Sequence, residues 1–269
     1  MMRRTIYLRI AYEGTDFHGW QVQPGLRTVQ GVLEDAVRRV VRHPVELIGS
    51  GRTDAGVHAV GQVGSFSTTS SIPASRIKPA VLSRLPDDLA VVDAREVHPD
   101  FHATKDAISK LYRYRLHCAC RRPVAGLAHR YTYHFWRPIN LDRMREGARH
   151  FIGTKDFSAM AGAGCQRTTM VRSVLRCDVH RRLDEVRIDV LGTGFLYRQV
   201  RNMVGTLVNV GCGLWEPDRV RDILASSDRS NAGPTVPAKG LTLRCVIYPP
   251  EKLTPPSYDA EQRAGNDEA

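Results

Sequence analysis

The chain has 269 residues, enough to bury a substantial core as one large domain or two smaller ones, and its 42% hydrophobic and 25% charged residues are those of an ordinary globular protein. The sign of the charge is less ordinary: 39 Lys and Arg stand against 28 Asp and Glu, a formal net of +11. No run approaches the roughly 20 apolar residues of a membrane span, the six cysteines contain no CxxC pair for zinc, and so basic a chain attracts polyanions, which makes nucleic acid the leading partner.

In chain order, the start through Tyr7 has a basic flank but no apolar run or small-residue cleavage site. It reads as a tail entering a strand rather than a signal peptide. Ile6, Leu8, Ile10 and Tyr12 alternate with more polar or smaller neighbours, the period of a half-buried strand. A turn-rich loop follows. After Thr28, Val29, Val32, Leu33, Ala36, Val37, Val40 and Val41 form the stripe of an amphipathic helix whose other face carries Glu34, Asp35, Arg38 and Arg39. Val45 to Ile48 and Val60 to Phe66 read as strands, Ser75 as the cap of a short helix, and Leu89 to Val97 as a strand. Strand, helix, strand, strand, helix, strand is the order of a ferredoxin-like unit.

A second series resembles the first. Lys110 to Leu116 alternates, with Tyr112, Tyr114 and Leu116 on one face. Asn140 is placed to cap a helix and Gly153 to end it. Val174 to His180 and Val186 to Val190 flank a hairpin turn at 181–184, Tyr197 to Val210 reads as a helix, Pro217 opens another, and Leu241 to Tyr248 closes with a strand. The expected fold is α+β: two ferredoxin-like halves, residues 1–105 and 106–250, around a largely antiparallel sheet with an active-site cleft between them. Residues 251–269 read as an acidic, disordered tail. That tail's five acids and two bases leave +14 on the body.

The densest chemical signal is Gly51-Arg52-Thr53-Asp54-Ala55-Gly56-Val57-His58-Ala59, between two strand patterns. Its glycines permit a tight loop and close approach of a ligand. A carboxylate two residues after an arginine can be held ionised by that charge, ready to attack carbon or abstract a proton. A bare Arg-x-Asp is more often a structural salt bridge. The full string is more specific. It resembles the signature loop of the tRNA pseudouridine synthase A family, in which the aspartate is catalytic. Similar blocks follow in family order: Phe17-x-Gly19-Trp20-Gln21-x-Gln23, Arg27 to Gln30, Gly61-Gln62-Val63, Phe101-His102-Ala103, Tyr112-Arg113-Tyr114, Val200 to Gly205, and Gly240 to Pro249. They extend over about residues 6 to 250.

The resemblance implies a pseudouridine synthase fold and isomerisation of uridine to pseudouridine at positions 38, 39 and 40 of the tRNA anticodon stem-loop. It implies no metal or organic cofactor, a cytoplasmic setting (which cysteines read as reduced thiols also suit) and a homodimer. By the same carry-over Asp54 is the catalytic carboxylate, with attack at C6 of the base, attack at C1′ and removal of a ribose proton all open to it. Arg52 pairs with Asp54 and helps displace the target base, Arg201 brings a second positive charge to the pocket, and Tyr112 stacks on the uracil and is a candidate to handle the C5 proton. His58 reads as a hydrogen-bonding loop residue, and His98 with His102 and the Gly162-Ala163-Gly164 string carry no metal or phosphate reading. This chain departs from the family at Thr104-Lys105, where arginine is common, and at Arg198 and Gln199, which bears on which tRNA contacts it makes. Two rival readings are weaker. A non-catalytic RNA-binding module has no use for the glycine-bracketed Arg-x-Asp and would carry a Lys/Arg-Gly-Phe aromatic signature that is absent. A nucleoside hydrolase would want a second carboxylate. The basic residues Arg38, Arg39, Arg42, Arg121, Arg122, Arg143, Arg145 and Arg149 supply a diffuse field for a phosphate backbone.

Overall fold

The computed structural model describes residues 3–119, 123 and 128–255. The first elements are β1 (Arg4–Tyr12), α1 (Val29–Val41), β2 (Ile48–Gly49), β3 (His58–Thr68), α2 (Ala74–Leu82) and β4 (Leu89–Val97). In the sheet they run β4-β1-β3, with β2 beside the far end of β3, the spatial order of a ferredoxin-like unit. The later elements are β5 (Ser109–His117), α3 (Ala128–Tyr131), β6 (Tyr133–His134), α4 (Leu141–Arg149), β7 (Gly153–Asp156), β8 (Val171–Arg182), β9 (Glu185–Gly192), α5 (Gln199–Gly211), α6 (Arg219–Ser226), β10 (Leu241–Ile247) and α7 (Pro250–Leu253). Their path β10-β5-β9-β8 repeats the order of the first unit, and β7 extends its edge. The two paths join where β10 lies parallel to β3, His58 opposite Thr242 and Ala59 opposite Leu243. Among the described residues this makes one ten-stranded, largely antiparallel sheet with α/β layering, the α+β architecture expected from sequence.

Alternation along the strands gives the sheet two unlike faces. Ile6, Leu8 and Ile10 of β1, Tyr112, Tyr114 and Leu116 of β5, Ile188 and Val190 of β9, and Leu241 and Leu243 of β10 are buried with the apolar stripes of α1 and α5. The intervening residues of β5 and β9 point away from that core and pair with each other. Arg113 donates to both carboxylate oxygens of Asp189 at 2.7 Å, and Arg115 pairs with Glu185. A small second cluster of Tyr7, Val63, Val97, Phe101, Ala103 and Tyr248 covers part of this face.

Several elements differ from the sequence expectation for identifiable reasons. Val45 to Leu47 do not join the ladder, because α1 takes their backbone: Leu47 N–H donates to Glu34 Oε1 at 2.9 Å, and Gln30 Nε2 donates to the Leu47 carbonyl at 3.0 Å. Ser75 lies inside α2. That helix starts after Pro73, whose ring sets an extended entry (φ −54°, ψ 141°), and no side chain caps it. Asn140 does cap α4, its Oδ1 accepting from Asp142 and Arg143 N–H. The helix nevertheless ends at His150 with right-handed backbone, and Gly153 (φ 110°) opens β7 instead. Pro217 sits in the turn before α6, its carbonyl accepting from Val220 N–H at 3.1 Å. The tail begins ordered, with the turn of α7 meeting His98 N–H through the Lys252 carbonyl. Cys120, Arg121, Arg122 and residues 256–269 lie outside the described residues.

Candidate active site

Residues 50–57 cross from β2 to β3, and three neighbouring segments fix their path. From the β1–α1 loop, Trp20 N–H donates to the Thr53 carbonyl at 3.1 Å, and Gly56 N–H donates back to the Phe17 carbonyl at 3.3 Å. Gly19 holds φ 85° there, and a Cβ on it would stand 2.6 Å from the Thr53 oxygen, so the two loops could not approach with any larger residue. From below, the Tyr12 hydroxyl meets Thr53 Oγ1 at 2.8 Å and Gln62 Nε2 donates to the Gly51 carbonyl at 3.0 Å. From β5, Lys110 Nζ donates to the Ser50 carbonyl at 2.6 Å. Burial, helped by the charge of Arg167, pushes that ammonium down to about 8.

The loop so held presents Asp54 to α5. Arg201 Nη1 donates to Asp54 Oδ2 at 2.6 Å, with the two side chains 12% and 20% exposed, so this is a sheltered pair rather than a surface ion pair. Arg201 is itself fixed: its Nε donates to the Val236 carbonyl at 2.8 Å. The 232–236 segment is clamped to α5 in turn. Gly233 N–H donates to Thr206 Oγ1 at 3.0 Å, and Asn202 Oδ1 accepts from Thr235 Oγ1 at 2.5 Å and Arg229 Nη2 at 3.1 Å. Tyr112 reaches the same region from β5, only 8% exposed and edge-on to Phe195 at 5.4 Å. Burial raises its phenol well above the ordinary 10, and the charges of Tyr12 and Asp54 push the same way.

Arg52 departs from expectation. It is exposed and donates through Nε to Gln21 Oε1 at 3.2 Å, so the carboxylate two residues away belongs to Arg201, whose guanidinium is the one braced by a buried carbonyl. His58 has both ring nitrogens engaged. Nδ1 accepts from Gly14 N–H at 2.9 Å, Nε2 donates to the Lys239 carbonyl at 3.1 Å, and burial lowers its pKa despite the pull of Glu13. His98 and His102 turn their Nδ1 atoms onto nearby backbone N–H groups. Among the described residues no three His, Cys, Asp or Glu side chains are grouped to hold a metal ion. A groove of about 360 Å³ walled by Glu13, Val60, Arg113, Arg115, Tyr131 and Arg244 lies on the arginine face of the sheet, and Asp54 is not among its walls. No helix among the described residues is long and apolar enough to cross a membrane.

Residues 9–104 and 148–249 match the family model of tRNA pseudouridine synthase, the first segment carrying Asp54 and the second Arg201. The chain belongs to the tRNA pseudouridine synthase family. Tyr112 falls between the two matched segments. Relatives named tRNA pseudouridine synthase A are similar over nearly their whole length. That of Brevibacillus brevis is 45% identical over 240 residues, 89% of this chain and 97% of the relative. That of Thermoanaerobacter sp. is 41% identical over 245 residues, 91% of this chain and all of the relative. That of Pelobacter propionicus is 44% identical over 246 residues, with coverage of 91% and 100%. A crystal structure of a Cbf5-Nop10-Gar1 complex is a remote likeness, 11% identical with a TM-score of 0.33, covering 75% of this chain and 54% of that one.

Proposed function

We propose that this chain isomerises uridine to pseudouridine in tRNA, with Asp54 as the catalytic carboxylate. The observation that carries the site assignment is the Asp54–Arg201 pair: a sheltered carboxylate on a glycine-bracketed loop, held by a guanidinium that is itself braced. Isomerisation breaks the N1–C1′ bond, turns the freed uracil and joins C5 to C1′. C5 loses its proton and N1 gains one, so no mass changes. Asp54 engages the reacting nucleoside, Arg201 orients it, and Tyr112 offers its ring to the uracil. Because burial keeps the Tyr112 phenol protonated, its part in removing the C5 proton is a relay: the oxygen takes that proton as it passes its own to an acceptor such as Asp54. Arg52, exposed at the rim, is free to meet RNA when the target base leaves its stack.

The family resemblance carries three finer elements of this reading: positions 38, 39 and 40 of the anticodon stem-loop, a homodimer and a cytoplasmic setting. The repeated strand order supports a division into halves at 1–105 and 106–250, with residues 251–269 as a tail. The test is to incubate the protein with tRNA and follow uridine by nucleoside analysis. Uridine is expected to become an isomer of equal mass, also after exhaustive chelation. Asp54→Asn is expected to abolish the product while tRNA binding, dominated by phosphate contacts, persists. Turnover by Asp54→Asn near the wild-type rate would remove the assignment.

A further inference from the structure

We propose that Tyr197 and Arg198 form a stacking site for an unpaired RNA base beside the target uridine, an inference that rests on the tRNA reading above. The two residues enter α5 one turn before Arg201. Tyr197 is 42% exposed and Arg198 is exposed, with its guanidinium carbon 4.7 Å from the Tyr197 ring centroid. Among the described residues that ring is the only partner of the guanidinium. No carboxylate of the described residues pairs with it.

The backbone is arranged to hold this pair at the start of α5, one turn from Arg201. Arg198 stands in the left-handed region, φ 58° and ψ 8°, which glycine adopts freely and side-chain-bearing residues resist. Its carbonyl accepts from Asn202 N–H at 3.0 Å and so starts the helix, while Gly162 N–H donates to the Tyr197 carbonyl at 2.7 Å. A Cβ on Gly162 would lie 2.8 Å from Tyr197 Cδ1 and 3.1 Å from Arg198 Cδ, so the absence of a side chain at 162 leaves room for the stacked pair. A conformation suited to glycine is thus occupied by an arginine that makes no ion pair among the described residues.

The chemistry matches a base with its phosphate. Single-stranded bases stack on exposed aromatic rings and on arginine guanidinium planes, and both kinds of group stand exposed here. Its N–H edges remain able to reach a phosphate oxygen. Extruding a uridine leaves a neighbouring base unstacked on one side, one helical turn from the residue that holds Asp54.

The test uses the full chain with tRNA and with an anticodon stem-loop RNA carrying 2-aminopurine beside the target position. Wild type is expected to quench 2-aminopurine, and Tyr197→Leu, Arg198→Lys and Arg198→Gly are each expected to weaken RNA binding roughly 5- to 100-fold and to relieve that quenching. Arg198→Gly relaxes the left-handed backbone, so its melting temperature is expected to hold or rise, and lost affinity there cannot be misfolding. Wild-type affinity in Arg198→Lys would mean that only the charge matters, and wild-type affinity in Tyr197→Leu would mean that no stack forms. Either result overturns the proposal. Pseudouridine formation by the wild type is measured in parallel. If it is absent, the functional reading falls while the binding and quenching data still decide the stack.

Discussion

Asn202→Ala is expected to damage the site from one layer behind it. The Asn202 side chain is fully buried (0% exposed). Its Nδ2 donates to the Met160 carbonyl at 2.8 Å, and its Oδ1 is shared by Thr235 and Arg229. Truncation orphans the Met160 carbonyl and takes the acceptor from the half-buried Thr235 hydroxyl, which still accepts from Arg229, while Arg229 also keeps the Ala232 carbonyl. At about 1–3 kcal/mol for an unpaired buried group, the loss from the Met160 carbonyl is about 1–3 kcal/mol. In a chain of this length that corresponds to roughly 2–12 °C in melting temperature. The functional cost follows from geometry. Asn202 holds Thr235, the next residue's carbonyl fixes Arg201 Nε, and Arg201 holds Asp54. Single-turnover pseudouridine formation, measured well below the melting transition, is expected to fall about tenfold or more, while tRNA affinity changes little because phosphate contacts dominate it. Asn202→Asp retains the acceptor for Arg229 and Thr235 and is expected to recover part of the rate. A variant that melts early but turns over at the wild-type rate would refute the idea that this segment orients Arg201.

Tyr112→Phe keeps the ring and deletes the relay oxygen, so product formation is expected to fall about 10²–10⁴-fold with tRNA affinity retained. Because burial holds the phenol above its ordinary 10, the wild-type rate is expected to show no alkaline limb from Tyr112 up to that pH, and a limb that Tyr112→Phe removes would contradict this. Lys110 has a folded pKa of about 8 against an ordinary 10.5, so the unfolded chain binds more protons between those values and stability rises with pH across that window. Denaturation of the wild type and Lys110→Met at several pH values is expected to show that rise as a difference between them, up to about 3 kcal/mol. Parallel curves would mean that the ammonium is not buried. Binding of tRNA is expected to weaken steeply with salt, the log–log slope counting neutralised phosphates, and a flat response would exclude the basic surface from the interface.

Local pattern made most elements legible. The stripe of α1, the limits of β4 and the hairpin turn at Leu183-Asp184 all depend on residues close in sequence. Where long-range partners intervene, the pattern misleads. Val45 to Leu47 look like a strand, but Glu34 and Gln30 occupy the backbone of Leu47, and no short window contains both ends of those bonds. The same limit explains the arginines. Arg38 is spent partly on Glu34, Arg145 on Asp142 and Arg143 on Glu216, so counting basic residues overstates the charge free to meet RNA.

The pairing at the centre of the site is the extreme case. Proximity in sequence favours Arg52 as the partner of Asp54, two positions away, yet Arg201 lies 147 positions away and wins. The difference is in bracing. A long, exposed side chain loses rotamer freedom to make one ion pair in water, so a surface Arg-x-Asp contact is worth about 0–1 kcal/mol. Arg201 has already lost that freedom to the Val236 carbonyl and meets the carboxylate out of bulk solvent, where a charge-assisted bond is stronger. What makes this geometry available is the parallel seam of β3 and β10. His58 and Ala59, four and five residues after Asp54, pair there with Thr242 and Leu243, and the stretch from 232 to 240 leading into β10 passes over α5 beside Arg201. Asp54 and its cation are therefore carried by different strand–helix units and meet where the two paths of strands close into one sheet.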